Sequence, residues 1–182
     1  DLLLLVHGEG EIPFRRLLIE LLEASPNLQK IEGLTLNQNH TPIKTPGSAQ
    51  LPKNLPIPSP YLKGFFDHFL REGDSAKIAL WETNRGCPYA CSFCDWGVRT
   101  LNKLRRHDLE KTLREIDYMG THAVEDIYIS DCNFGILQRD LLLARKLVES
   151  RKKYGYPKRV RIQFAKNSND TVFEISKLLH KN

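Results

Sequence analysis

Six of the ten prolines fall between residues 41 and 60, and that concentration divides the chain. Proline fixes φ, removes a backbone donor and clashes with a preceding helical turn, so the stretch excludes regular helix and central strand. It predicts an extended linker, placed at residues 33–76, between two pieces of different texture.

In the first piece, residues 2–6 are an apolar run suited to a buried strand. Ile12, Phe14, Leu17, Leu18, Leu21 and Leu22 then recur at helical spacing. Residues 1–32 thus predict one strand–helix unit. From residue 77 onward strands and helices alternate. Residues 78–81, 127–129 and 160–164 read as strands. Asp108 is a suitable N-cap for a helix whose Leu109, Leu113, Ile116 and Met119 share a face. A helix over 139–154 stops at Gly155 and Pro157, because glycine takes the left-handed conformation and proline cannot continue the turn. A last helix starts at Asp170. This order predicts an α/β fold with a parallel βα repeat over residues 77–182. Three strands cannot close a barrel; if the repeat belongs to one, only its opening half is present, and its last strand exposes an unpaired edge unless more chain or a partner covers it. The chain begins with Asp1 and ends in a polar helical stretch, which predicts an excerpt of a longer protein.

The chemistry concentrates in Asn84-Arg85-Gly86-Cys87-Pro88-Tyr89-Ala90-Cys91-Ser92-Phe93-Cys94. Gly86 and Pro88 put the segment on a loop directly after a strand. Cysteines this close in sequence make a poor disulfide framework, and no export signal precedes them, so they read as metal ligands or catalytic groups. A loop can wrap three thiolates round one object. A cubane [4Fe–4S] cluster normally takes four cysteines, so Cys87, Cys91 and Cys94 would leave one iron open to a substrate ligand. The competing reading is structural zinc with Cys132 or His107 as fourth ligand, although zinc sites usually present two ligand pairs. Cys132 otherwise reads as a small buried residue.

Hydrophobic residues make up 41% of the chain and charged residues 27%, the balance of a water-soluble protein. No apolar run approaches the roughly 20 residues of a membrane span. A cytoplasmic location without membrane contact is expected. The net charge of +5 arises mainly from residues 99–114 and 151–166. Without interleaved aromatics or a helix-turn-helix pattern these read as solvated faces, which weighs against nucleic-acid binding.

The cysteine spacing, with Phe93 as the aromatic of C-x3-C-x-aromatic-C, resembles the radical S-adenosylmethionine superfamily. Gly8-Glu9-Gly10-Glu11, Ile57-Pro58-Ser59-Pro60-Tyr61, the segment from Glu82 to Tyr89, and Asp131-Cys132-Asn133-Phe134-Gly135 extend the resemblance to the subgroup with an N-terminal cobalamin-binding domain. It implies a partial (βα)6 barrel preceded by the remnant of a doubly wound cobalamin-type domain. It also implies a [4Fe–4S] cluster on the three cysteines and S-adenosylmethionine chelated to the open iron through its amino and carboxylate groups. The activity implied is reductive cleavage to a 5′-deoxyadenosyl radical, for hydrogen abstraction or cobalamin-assisted group transfer, with flavodoxin or ferredoxin as electron donor. The D-x-H-x-x-G loop that supplies a histidine to cobalt is absent from the chain. Cobalamin is therefore expected of a full-length parent only, and the substrate stays unnamed.

Cofactor contacts are expected from Phe93 and from residues just after the strands, where barrel enzymes place their sites. Asp131 and Asn133 suit an ammonium donor, though the same residues serve turns. Lys166 and Asn167 could reach a carboxylate or a ribose. Tyr89 and Trp96 flank the cysteines and would shield a cluster from water. The alternative from another class is a non-catalytic iron–sulfur or zinc module that meets a partner through its basic face.

Overall fold

The computed structural model describes residues 4–47, 57–71, 77–89, 91–94, 103–167 and 170–181. Two compact units, Asp1–Pro56 and Ile57–Asn182, divide the chain.

In the first unit β1 (Leu4–Val6) leads to α1 (Glu11–Leu21), followed by β2 (Leu34–Gln38) and β3 (Thr41–Lys44). The sheet is antiparallel in the order β1-β2-β3. Two expectations change here. A doubly wound remnant would give β1 a parallel partner, yet β1 pairs antiparallel with β2. The start of the predicted linker is a hairpin: Asn39 and His40 both take positive φ, 51° and 64°, as a two-residue turn between right-twisted strands requires. Pro42 is tolerated because β3 is the edge strand. Leu34 and Leu36 alternate inward and close a small core with Leu17 and Ile31.

In the second unit α2 (Asp67–Arg71) precedes β4 (Ile78–Trp81), β5 (Asn84–Arg85), β6 (Arg105–Arg106), α3 (Leu109–Thr121), β7 (Asp126–Ile129), α4 (Gln138–Tyr154), β8 (Arg159–Arg161) and α5 (Asp170–Lys181). The main sheet is parallel, in the order β4-β7-β8. The strand period of two sorts its residues by face. Ala79, Trp81, Ile127 and Ile129 form one core with Ile116 and Met119 of α3, Leu143 and Leu147 of α4 and Ile175 of α5. These helices thus cover the same face of the sheet. On the opposite face Ile78 and Leu80 are each 64% exposed. Trp81, wholly buried, donates Nε1–H to Glu115 Oε2 at 2.8 Å and so satisfies its one polar atom.

The predicted caps hold. Asp108 Oδ1 accepts from the Lys111 amide at 2.8 Å, and Gly155 ends α4 at φ 80°. Part of the basic surface is neutralised locally: Arg159 and Arg161 meet Asp126 at 2.6 and 3.3 Å, and Lys158 meets Glu125 at 2.9 Å. Among the described residues no helix is long and apolar enough to cross a membrane.

Helices α3 and α4 approach closely at Gly120, where an added Cβ would clash with Ser150 Oγ and lie 2.7 Å from the Tyr154 ring. Gly120→Ala should therefore destabilise the fold by about 1–3 kcal/mol through overpacking, despite the helix propensity of alanine. Gly155→Ala meets nothing within 4 Å and should lose only the backbone cost of about 1–2 kcal/mol. Urea unfolding of both variants checks the pair; a Gly120→Ala protein as stable as the parent would refute the packing.

Candidate functional site

The site is built where the parallel strands end. Beyond β4 the chain runs through Glu82 and Thr83 into β5, and residue 131 lies just beyond β7. Asp131 ties the two exits together. Its Oδ1 accepts from the Thr83 amide at 2.8 Å and the Asn84 amide at 3.2 Å. Its Oδ2 accepts from Asn84 Nδ2 at 2.7 Å and from the Thr83 hydroxyl. Burial pushes the Asp131 carboxyl up to about 6 against the pull of these donors and with help from nearby Asp140.

A second carboxylate fixes the base of the cysteine loop. Glu82 receives Arg85 Nε at 2.9 Å and Nη2 at 2.8 Å, and His107 Nε2 at 2.9 Å. Lys111 Nζ lies 3.2 Å from His107 Nδ1 and can only donate, so the imidazole's Nε2 carries the hydrogen given to Glu82. Burial opposes the Glu82 charge, but the bonds from His107 and Arg85 prevail and hold its pKa at about 2. The two-residue ladder of β5 with β6 pairs Asn84 with Arg106 and Arg85 with Arg105. Arg139, from α4, donates to the Thr83 and His107 carbonyls at 2.7 and 2.6 Å. Both ends of the segment carrying the cysteines are thereby anchored.

Cys87, Tyr89, Cys91 and Cys94 line a cavity of about 430 Å³. Its far wall comes from Tyr128 of β7, from Ser130 and Cys132 just beyond, and from Gln163 and Lys166 after β8. Gln163 Nε2 donates to the Tyr128 hydroxyl at 3.0 Å. Lys166 Nζ sits 4.9 Å from the centroid of Phe93, which is 80% exposed, so a cation–π contact links the cysteine loop to the β8 exit. All four cysteines are free thiols. Burial, then the neighbouring Cys87, Asp131 and Cys94, push the Cys132 thiol up to about 11. Among the described residues no three His, Cys, Asp or Glu side chains are gathered to hold a metal ion.

Cys87, Cys91, Cys94 and Lys166 line the same cavity, and Phe93 lies against Lys166. The structure moves others of the expected residues. Asp131 and Asn133 are buried, 1% and 0% exposed, and neither lines the cavity. The acceptor oxygens of Asp131 are occupied within the protein, and Asn133 keeps both amide atoms buried without a partner among the described residues. Asn167 is exposed and does not line the cavity, and Trp96 lies outside the described residues. Cys132, read from sequence as a buried filler, lines the cavity. The missed wall follows from strand parity: Tyr128, Ser130 and Cys132 alternate with Ile127, Ile129, Asp131 and Asn133.

No family model matches the chain. Over 179 residues, 97% of the chain, it is 48% identical to 2-(S-pantetheinyl)-carbapenam-3-carboxylate methyltransferase of Streptantibioticus cattleyicolor. Over the same length it is 46% identical to the cobalamin-dependent radical SAM methyltransferase TokK of Streptomyces tokunonensis. The homologues of this chain are cobalamin-dependent radical S-adenosylmethionine methyltransferases. The chain spans about a quarter of the length of these two relatives, 26% of each. The family's fold recurs in solved structures. TsrM of Kitasatospora setae matches with a TM-score of 0.63 at 18% identity, covering 97% of this chain and 35% of that one. OxsB, a cobalamin-dependent S-adenosylmethionine radical enzyme, matches with a TM-score of 0.54 at 21% identity, covering 97% and 26%.

The Glu82 cluster predicts a pH dependence. Because its folded pKa lies below the ordinary value of 4.5, its contribution is complete above about 4.5 and is lost as pH falls toward 2. Glu82→Gln should cost about 1–3 kcal/mol at pH 7 and proportionately less at pH 3. Thermal melts of parent and variant across that range check this; an offset that does not shrink with acidification would contradict it. Asp131→Ala, which frees four buried donors, should cost about 2–4 kcal/mol in the same assay.

Proposed function

We propose that this chain contributes the cluster-binding and S-adenosylmethionine-binding part of a cobalamin-dependent radical methyltransferase. The observation that carries the reading is that all three cysteines of C-x3-C-x2-C line one cavity at the carboxyl end of a parallel sheet. Among the described residues helices cover one face of that sheet only, as in a barrel wall, which supports residues 77–182 as the opening half of a partial (βα)6 barrel.

Cys87, Cys91 and Cys94 would hold the [4Fe–4S] cluster. Such a cluster would supply the low-potential electron that reductive cleavage of a sulfonium requires. The chain's own residues bind and orient. The Lys166 ammonium suits the cofactor's carboxylate, and the Ser130 hydroxyl and Gln163 amide offer polar contacts along the same wall. Phe93 gives up its lysine cation when Lys166 turns to the carboxylate. Asp131 acts at one remove, by holding the root of the loop. Cobalamin ligation is not assigned to these residues, since the chain lacks the D-x-H-x-x-G loop. Flavodoxin or ferredoxin is the class of electron donor that suits such a cluster.

The zinc alternative loses one of its ligands, because His107 is committed to Glu82 and Lys111. Anaerobic reconstitution with iron and sulfide should give a brown protein with about four irons per chain. Single Ala substitutions at Cys87, Cys91 or Cys94 should abolish the cluster, and dithionite with S-adenosylmethionine should release 5′-deoxyadenosine. A colourless protein with one zinc per chain would refute the reading.

A further inference from the structure

Three cysteines satisfy three irons of a cubane, yet the cavity holds a fourth. All four cysteines of the sequence line it. Cys87, Cys91 and Cys94 approach from the loop, and Cys132 from the exit of β7. A cysteine that merely fills space belongs on the helix-covered face, with Ile127 and Ile129. Cys132 has the other parity. It is partly exposed, whereas its neighbours Asp131 and Asn133 are 1% and 0% exposed. Its backbone is well fixed: Asp131 takes four hydrogen bonds, and Phe134 bridges to Phe164, with Phe134 N donating to the Gln163 carbonyl at 2.9 Å. A rigid strand exit therefore aims a thiol into the cavity that the three loop cysteines border. Iron–sulfur clusters prefer four thiolates, and an iron without one takes whatever ligand the cavity offers.

We infer that Cys132 is a resting-state ligand of the cluster, holding the fourth iron until S-adenosylmethionine displaces it. The inference rests on the cluster reading above. In the exchange the iron–sulfur bond to Cys132 breaks, two bonds form to the cofactor's amino nitrogen and carboxylate oxygen, and the released thiolate takes the proton that the cofactor's ammonium gives up on binding. No electron moves. The device would protect the cluster while the cofactor is absent and let its arrival open the site.

The test uses the anaerobically reconstituted protein and its Cys132→Ala variant, both carrying about four irons by analysis. Without S-adenosylmethionine, mild oxidation by ferricyanide strips an iron that lacks a thiolate and leaves a three-iron cluster with its own EPR signal. Even an outer partner of a metal ligand alters metal affinity about 10–100-fold, so the variant should form that signal at least about tenfold faster than the parent. A second measurement needs no variant. In the parent, alkylation of Cys132 followed by peptide mass spectrometry should be slow without S-adenosylmethionine and at least about tenfold faster with it, by the same reasoning. Equal oxidation rates in parent and variant, or alkylation indifferent to the cofactor, would overturn the inference and leave the three-cysteine cluster standing. A protein that takes up no iron would overturn both.

Discussion

The Asp131 carboxylate is the interaction on which the site depends. The β4–β7 ladder pairs residues as far as Trp81 and Ile129 and closes with the Ser130 amide on the Trp81 carbonyl at 2.9 Å, which leaves the chain after Trp81 to be held by side chains. Asp131 supplies that constraint with four hydrogen bonds to Thr83 and Asn84. Removing an acceptor from buried donors costs their full desolvation, so the arrangement is held by the penalty of breaking it as much as by its own strength. The Glu82–Arg85–His107 cluster and Arg139 then secure the two ends of the cysteine segment against the same core. The loop is thus attached to a rigid frame at its root, while its cysteines remain at the cavity surface.

Much of the second unit was legible in the sequence. Strand and helix periods placed β4, β7, α3, α4 and α5 within a residue or two, because each has an apolar face that must be buried, and α3 and α4 also carry a capping residue with a local mechanism, Asp108 and Gly155. The cysteine loop was legible because Gly86 and Pro88 force a loop and the spacing is specific. The hairpin of β2 and β3 was hidden. Its turn uses Asn39 and His40 where glycine would have signalled it, and Pro42 was counted against strand although an edge position admits it.

The cavity wall was misread by one residue. Asp131 and Asn133 carry the more suggestive chemistry, but a strand sends alternate side chains to opposite faces, and their parity is that of Ile127 and Ile129. Tyr128, Ser130 and Cys132 reach the cavity instead. Residue type pointed to Asp131 and Asn133, and strand parity put their neighbours on the cavity. Cys132 shows the same lesson from the other side, since a lone cysteine in a sequence reads as filler until its face is known.

The central claim, that Cys87, Cys91 and Cys94 hold a cluster whose remaining iron takes S-adenosylmethionine, is tested most directly by electron–nuclear double resonance on the reduced protein with cofactor labelled with nitrogen-15 at its amino group. The account predicts a hyperfine coupling from that nitrogen to the reduced cluster, lost together with the cluster in Cys91→Ala. A reduced cluster of full iron content that shows no such coupling at saturating cofactor would contradict it.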